Sequence, residues 1–150
     1  MKPKVLPIIY VIISAILMYV TSQLFHAFEF EIPARQLVSL VVFISGLLIV
    51  AVGGMQFRQA GTTVHPLEPG NTRCLVRSGL YKYSRNPMYV GFLLFLVSWW
   101  LFLGNLVCGI FLPLFVLLIN YLQIIPEEAM LEKKFGDQYR QYLSEVRRWI

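Results

Sequence analysis

At 150 residues, 57% hydrophobic, 15% aromatic and only 14% charged, with a mean hydropathy of +0.65, the chain carries too little charge to cover a water-soluble surface, which normally holds about 25% charged residues. Its apolar runs lack the alternation of a membrane barrel, so the composition leaves an all-α integral membrane protein. The net charge of +5 is distributed as membrane topology would distribute it and calls for no nucleic acid.

The first apolar run covers Val5 to Phe25. Lys2 and Lys4 precede it as in a secretory signal, but its core exceeds the roughly 7 to 15 apolar residues of such a signal and no small-x-small cleavage site ends it. It is read as a span. A short external loop holding Glu29, Glu31 and Pro33 leads to the second run, Leu37 to Phe57, whose Ser45, Gly46, Gly53 and Gly54 let neighbouring helices approach closely. Residues 1–57 are therefore expected to be two scaffold spans.

Residues 58–86 form a cytoplasmic loop, longer than compact connections need. Thr62, Thr63, His65, Pro66, Pro69, Gly70 and Asn71 supply turn chemistry, and Leu75, Val76, Leu80, Tyr81 and Tyr83 supply anchors, so an ordered loop is predicted. Asn86 before Pro87 predicts a helix start, with Asn as N-cap and Pro in the first turn. The third and fourth runs, Pro87 to Leu103 and Leu106 to Ile125, make a hairpin over 87–125 turned by Gly104 and Asn105. Pro113 is expected to kink the fourth run, and Trp99 and Trp100 to sit at the outer interface. Each run holds about 17 to 21 residues, enough to approach or exceed the thickness of the hydrocarbon core.

From Pro126 the pattern becomes amphipathic. Leu131, Phe135, Tyr139, Tyr142, Leu143, Val146 and Ile150 recur every three or four residues, predicting a C-terminal helix over 126–150 that lies on the membrane or packs back on the protein. Gly136 predicts a break or a close contact within it.

With four spans, two Lys/Arg fall in the N-terminal tail, five in the central loop and five in the C-terminal tail, against Arg35 alone on the other side. Both termini and the central loop are thus expected in the cytoplasm. Cys74 and Cys108 then lie on opposite sides of the third span, so neither a disulfide nor a metal site is expected.

The polar residues that this topology does not explain are concentrated in L-V-R-S-G-L-Y (75–81), R-N-P-M-Y-V-G (85–91), the pair Glu127 and Glu128, and F-G-D-Q-Y (135–139). Taken alone, the two carboxylates could serve a helix N-terminus, the tyrosines an interfacial belt, and Arg85 a positive-inside anchor. In this order, over the C-terminal half, the motifs resemble those of the isoprenylcysteine carboxyl methyltransferases and their short bacterial and archaeal relatives, which in turn resemble phospholipid methyltransferases.

The resemblance implies a multi-pass enzyme, in the plasma (inner) membrane, that binds S-adenosylmethionine at its cytoplasmic face and acts on a lipophilic acceptor. It implies cofactor contacts at Cys74, Leu75, Val76, Tyr81, Asn86, Pro87, Tyr89 and Glu127, and a catalytic group of Arg85, Asn86 and Glu128. A cofactor with a sulfonium, an ammonium, a carboxylate and an adenine needs a carboxylate, donors and an aromatic slot, which these residue types offer. Two departures stand out: Asn86 occupies the place of a frequent His, and Gln123 that of a substrate-binding Arg. Gln123, one helical turn before Glu127, is expected to face the acceptor. Alternatives are a phospholipid amine or small thiol as acceptor, a nicotinamide-binding relative of sterol reductases, and a non-catalytic membrane scaffold or sensor. Dimerisation is not readable from the chain.

Overall fold

The computed structural model describes residues 5–59 and 74–150; the expectations for Lys2, Lys4 and residues 60–73, including His65, lie outside them. The described residues are helical with no strand beyond a single bridge between Glu29 and Asn105. The helices are α1 (Pro7–Leu24), α2 (Arg35–Gln59), α3 (Pro87–Leu103), α4 (Phe111–Ile119), α5 (Ile125–Phe135) and α6 (Asp137–Glu145).

Three helical stretches are long and apolar enough to cross a membrane: α1, α2 and the 29-residue run Val107–Phe135, which carries α4 without interruption into α5. The third predicted run, α3, is apolar but has 17 residues, about 26 Å of helix. Ile12, Ile16, Leu40 and Leu48 are about half exposed on α1 and α2, as lipid contact requires.

α2 and α3 cross where the small residues were predicted. A Cβ on Gly91 would lie 2.8 Å from the Gly46 carbonyl oxygen and 2.5 Å from Val50 Cγ2, so this motif glycine lets two backbones touch. Toward the other end, Ser39 and Ser98 exchange hydroxyl-to-carbonyl bonds, each 2.9 Å. Gly54, by contrast, has open space where a Cβ would stand.

The hairpin turn follows its predicted chemistry. Gly104 closes α3 in the left-handed region at φ +64°. Asn105 is fully buried: its amide donates to the Phe25 carbonyl at 2.7 Å and its Oδ1 accepts from the Val107 amide at 3.0 Å. Both tryptophans at this end are hydrogen-bonded: Trp99 donates to the Ala15 carbonyl at 3.0 Å, tying α3 to α1, and Trp100 donates to the Asn105 carbonyl at 2.9 Å, bracing the turn that follows it.

Further along, Pro113 sits in the first turn of α4, where its missing donor is tolerated. The helical irregularity comes later, as a π turn over Asn120–Ile124. The predicted 126–150 helix is instead α5 and α6 separated by Gly136 at φ +51°, then an extended tail from Val146. Gly136 is a break rather than a close contact, since nothing lies within 4 Å of an added Cβ.

Candidate functional site

Where α1 begins, α2 ends and α3 begins, the chain encloses a cavity of about 260 Å³. Every residue expected at the cofactor site lines it: Cys74, Leu75, Val76, Tyr81, Asn86, Pro87, Tyr89 and Glu127, together with Arg85 and Glu128. Sequence reasoning missed Leu6, Pro7 and Ile8 from α1, Phe57 from α2, and Tyr139 and Tyr142 from α6. The F-G-D-Q-Y motif was a signal for Tyr139; nothing local marked the others.

The wall around Tyr81 is built by a single 3-10 turn, Gly79–Lys82. Gly79 adopts φ +62°, and a Cβ there would strike the Gln56 side chain, whose Oε1 accepts the Leu80 amide at 3.1 Å. α2 thereby fixes the turn. Tyr81 is buried edge-on against Phe57, ring centroids 5.0 Å apart, and its carbonyl accepts the Tyr142 hydroxyl at 2.7 Å. Burial pushes the Tyr142 phenol up to about 12 and that of Tyr81 higher still, so both remain protonated donors. Tyr83, in contrast, is exposed.

The adjacent carboxylates have separate partners. Glu127 Oε1 accepts the Tyr89 hydroxyl at 2.7 Å. Glu128, with a side chain 15% exposed, accepts from Arg85 Nη2 at 2.9 Å and from Arg148 Nη2 and Nε at 2.6 and 3.2 Å. Glu128 is saturated by two guanidinium groups, while Glu127 has a neutral phenol and the cavity. Only the latter can readily take a cationic ligand group.

Arg85 and Asn86 also turn toward the C-terminal tail. Arg85 Nη1 donates to the carbonyls of Leu143 and Val146 at 3.1 and 2.8 Å, and its backbone amide to that of Arg147 at 3.0 Å. Its buried Nε has no protein partner. Asn86 begins α3 as predicted, but its side chain does not cap: Nδ2 donates to the Arg148 carbonyl at 3.0 Å. The competing acceptor is a tail carbonyl that no local sequence signal announces.

Gln123 is fully buried but does not line the cavity; its Nε2 donates to the Val5 carbonyl at 2.5 Å. Gln123 lies within the π turn, so the run from it to Glu127 is not the continuous α-helix from which a shared face was expected. No disulfide joins Cys74 and Cys108. Among the described residues no cluster of His, Cys, Asp and Glu could hold a metal.

A family model described as phospholipid methyltransferase matches residues 34–138. An uncharacterized Haemophilus influenzae protein is 49% identical over 63 residues, covering 42% of this chain and all of that one. The protein-S-isoprenylcysteine O-methyltransferase of Schizosaccharomyces pombe is 39% identical over 72 residues, 48% of this chain and 30% of the relative. That of Homo sapiens is 30% identical over 110 residues, 69% of this chain and 39% of the relative. The chain thus matches well under half the length of either methyltransferase.

Proposed function

Because the chain belongs to the phospholipid methyltransferase family, we propose that it is an integral membrane methyltransferase that uses S-adenosylmethionine and a lipophilic acceptor. The observation that carries this reading is Glu127: a carboxylate held by Tyr89 inside a cavity that also gathers the motif residues Tyr81, Asn86 and Pro87. The donor set fits the cofactor, with a carboxylate for its cationic groups, aromatic faces for its base and a buried guanidinium N–H left over at Arg85.

When bound, the cofactor supplies a methyl carbon already activated by a sulfonium, so the protein needs no covalent nucleophile. Its own residues bind, orient and exclude water. Glu127 holds a cationic group by a charge-assisted bond; Tyr89 fixes the rotamer of Glu127; Tyr81, Tyr139 and the backbone of Cys74 to Val76 shape the slot. Leu6, Pro7, Ile8, Met88 and Phe92 give the wall an apolar part suited to a lipophilic acceptor. Arg85, Asn86 and Glu128 act by holding this wall in place.

The positive-inside pattern supports four spans with both termini and the cavity facing the cytoplasm, in the plasma (inner) membrane. The whole chain is then one membrane domain. The family's description favours a second acceptor reading, a phospholipid amine, which would need a general base to remove an ammonium proton. The decisive experiment is calorimetry with S-adenosylhomocysteine and NADPH on purified protein, followed by labelled S-adenosylmethionine with native membrane extract. Binding of the former and a labelled lipid support the proposal; NADPH binding alone, or neither ligand binding, overturns it.

A further inference from the structure

The π turn Asn120–Ile124 holds both ends of the chain. Gln123 Nε2 donates to the Val5 carbonyl, immediately before the Leu6, Pro7 and Ile8 wall. Asn120 Oδ1 accepts the Trp149 indole N–H at 3.1 Å, immediately after Arg148, which grips Glu128 and accepts from Asn86. Trp149 also packs against the buried core. One five-residue turn therefore fastens the segment behind the apolar wall and the segment behind the polar wall.

This arrangement is costly to maintain. Gln123 is 0% exposed and its Oε1 is buried without a partner among the described residues. Leucine in that place would carry no unsatisfied acceptor. Polar side chains inside membrane helices mark functional positions, and π turns recur beside functional sites.

We propose that Asn120 and Gln123 are positioning residues: neither lines the cavity, yet each fixes one of its walls by holding a terminal segment. This rests on the donor-binding reading above for its consequence, but the joint itself can be tested without a donor. Loss of either bond lets its wall open locally, while the helices that carry the fold stay packed.

Cys74 lines the cavity and Cys108 is fully buried, so alkylation by N-ethylmaleimide reads access to the cavity at Cys74. Gln123→Leu and Trp149→Phe should each speed Cys74 alkylation about fivefold, the weight of one ordinary hydrogen bond. Gln123→Leu should do so with little change in the thermal midpoint, since removing the orphaned Oε1 offsets the donor it takes from the Val5 carbonyl. A purely structural role predicts the reverse pairing, a lower midpoint with unchanged labelling of the folded fraction. Gln123→Met, close in volume, answers if the leucine variant does not fold. Unchanged alkylation in the folded variants overturns the proposal. S-adenosylhomocysteine should slow labelling of the wild type; faster labelling in the variants with no such protection would keep the joint and sink the donor reading.

Discussion

Arg148 grips Glu128 with two nitrogens, Nη2 to Oε2 at 2.6 Å and Nε to Oε1 at 3.2 Å, across twenty residues of sequence. Together with Arg85 on Oε1, this makes Glu128 the fastening point of the C-terminal tail. Glu127, one residue earlier, is left to Tyr89. Two identical side chains in sequence therefore have different work, decided by which partners the tertiary structure brings to each.

That division predicts a dissociation of phenotypes. Glu128→Gln leaves the buried Arg85 and the partly solvated Arg148, side chains 11% and 35% exposed, without their counter-charge; with solvent screening Arg148, a loss of about 3 kcal/mol is expected, the low end for breaking a buried pair. A large fall in the thermal midpoint in detergent is expected. Glu127→Gln should leave the stability within about 1 kcal/mol of wild type, the scale of one neutral hydrogen bond, and weaken S-adenosylhomocysteine binding by about 1.5 to 3 kcal/mol. Tyr89→Phe should weaken it in the same direction by less. Equal destabilisation by both Glu substitutions would remove the distinction drawn between them.

Gly46 and Gly91 give a second prediction, on packing. Gly91→Ala places a methyl 2.5 Å from Val50 Cγ2 and 2.8 Å from the Gly46 carbonyl oxygen. Overpacking of this kind costs about 1 to 3 kcal/mol. Gly54→Ala meets nothing within 4 Å and should instead be neutral or stabilising by up to about 1 kcal/mol through helix propensity. Thermal denaturation of the two variants side by side tests the assignment; similar losses in both would refute it.

Much of the site was legible because its polar residues lie in short motifs beside apolar runs, where a polar group is conspicuous. Tyr81, Tyr89, Asn86 and Glu127 could be assigned to one site from the resemblance and from their residue chemistry, and Gly104 and Asn105 announced their turn. The features that escaped depend on pairing across the chain. Leu6 to Ile8 and Phe57 are ordinary apolar residues until folding sets them beside the cavity. Asn86 is a good N-cap residue whose amide is claimed by a carbonyl 62 residues away. The π turn has no local signature, and neither has the bond that Gln123, within it, makes to the Val5 carbonyl.

The acceptor gives a third prediction. By the resemblance, Gln123 is expected where the prenylcysteine enzymes carry a substrate-binding Arg, and its amide is spent on the Val5 carbonyl. The guanidinium that does line the cavity, Arg85, is engaged by Glu128 and two tail carbonyls. Among the described residues that line the cavity, no guanidinium is therefore left for bidentate pairing with an acceptor carboxylate. Methylation of a farnesylcysteine analogue should be poor beside that of the true lipid acceptor found with labelled cofactor. Efficient turnover of the analogue would overturn this inference.

The last prediction concerns orientation. The Phe30 amide donates to the Gly104 carbonyl at 2.7 Å and the Leu106 amide to the Phe28 carbonyl at 2.9 Å, so the loop after α1 and the turn after α3 share one end of the bundle. Among the described Lys/Arg residues that end carries Arg35 alone, and Arg35 is itself tied to the Phe30 carbonyl at 2.9 Å. The opposite end carries the cavity with Arg77, Lys82 and Arg85 near it in sequence, and Lys133, Lys134, Arg140, Arg147 and Arg148 come after α4. Because positive residues are retained in the cytoplasm, reporter fusions at Gly70 and at both termini should read cytoplasmic, and fusions near Ile32 and Asn105 should read external. The 17 residues of α3 are the weak point of the four-span reading, since that helix is short for a crossing and would have to rely on its packing against α2 or on local thinning of the bilayer. If α3 does not cross, Asn105 would report on the same side as Gly70, and the bonds between the two loops would put Ile32 there with it. An external reading at the C-terminus would discard the four-span topology and, with it, access of the cavity to a cytoplasmic donor.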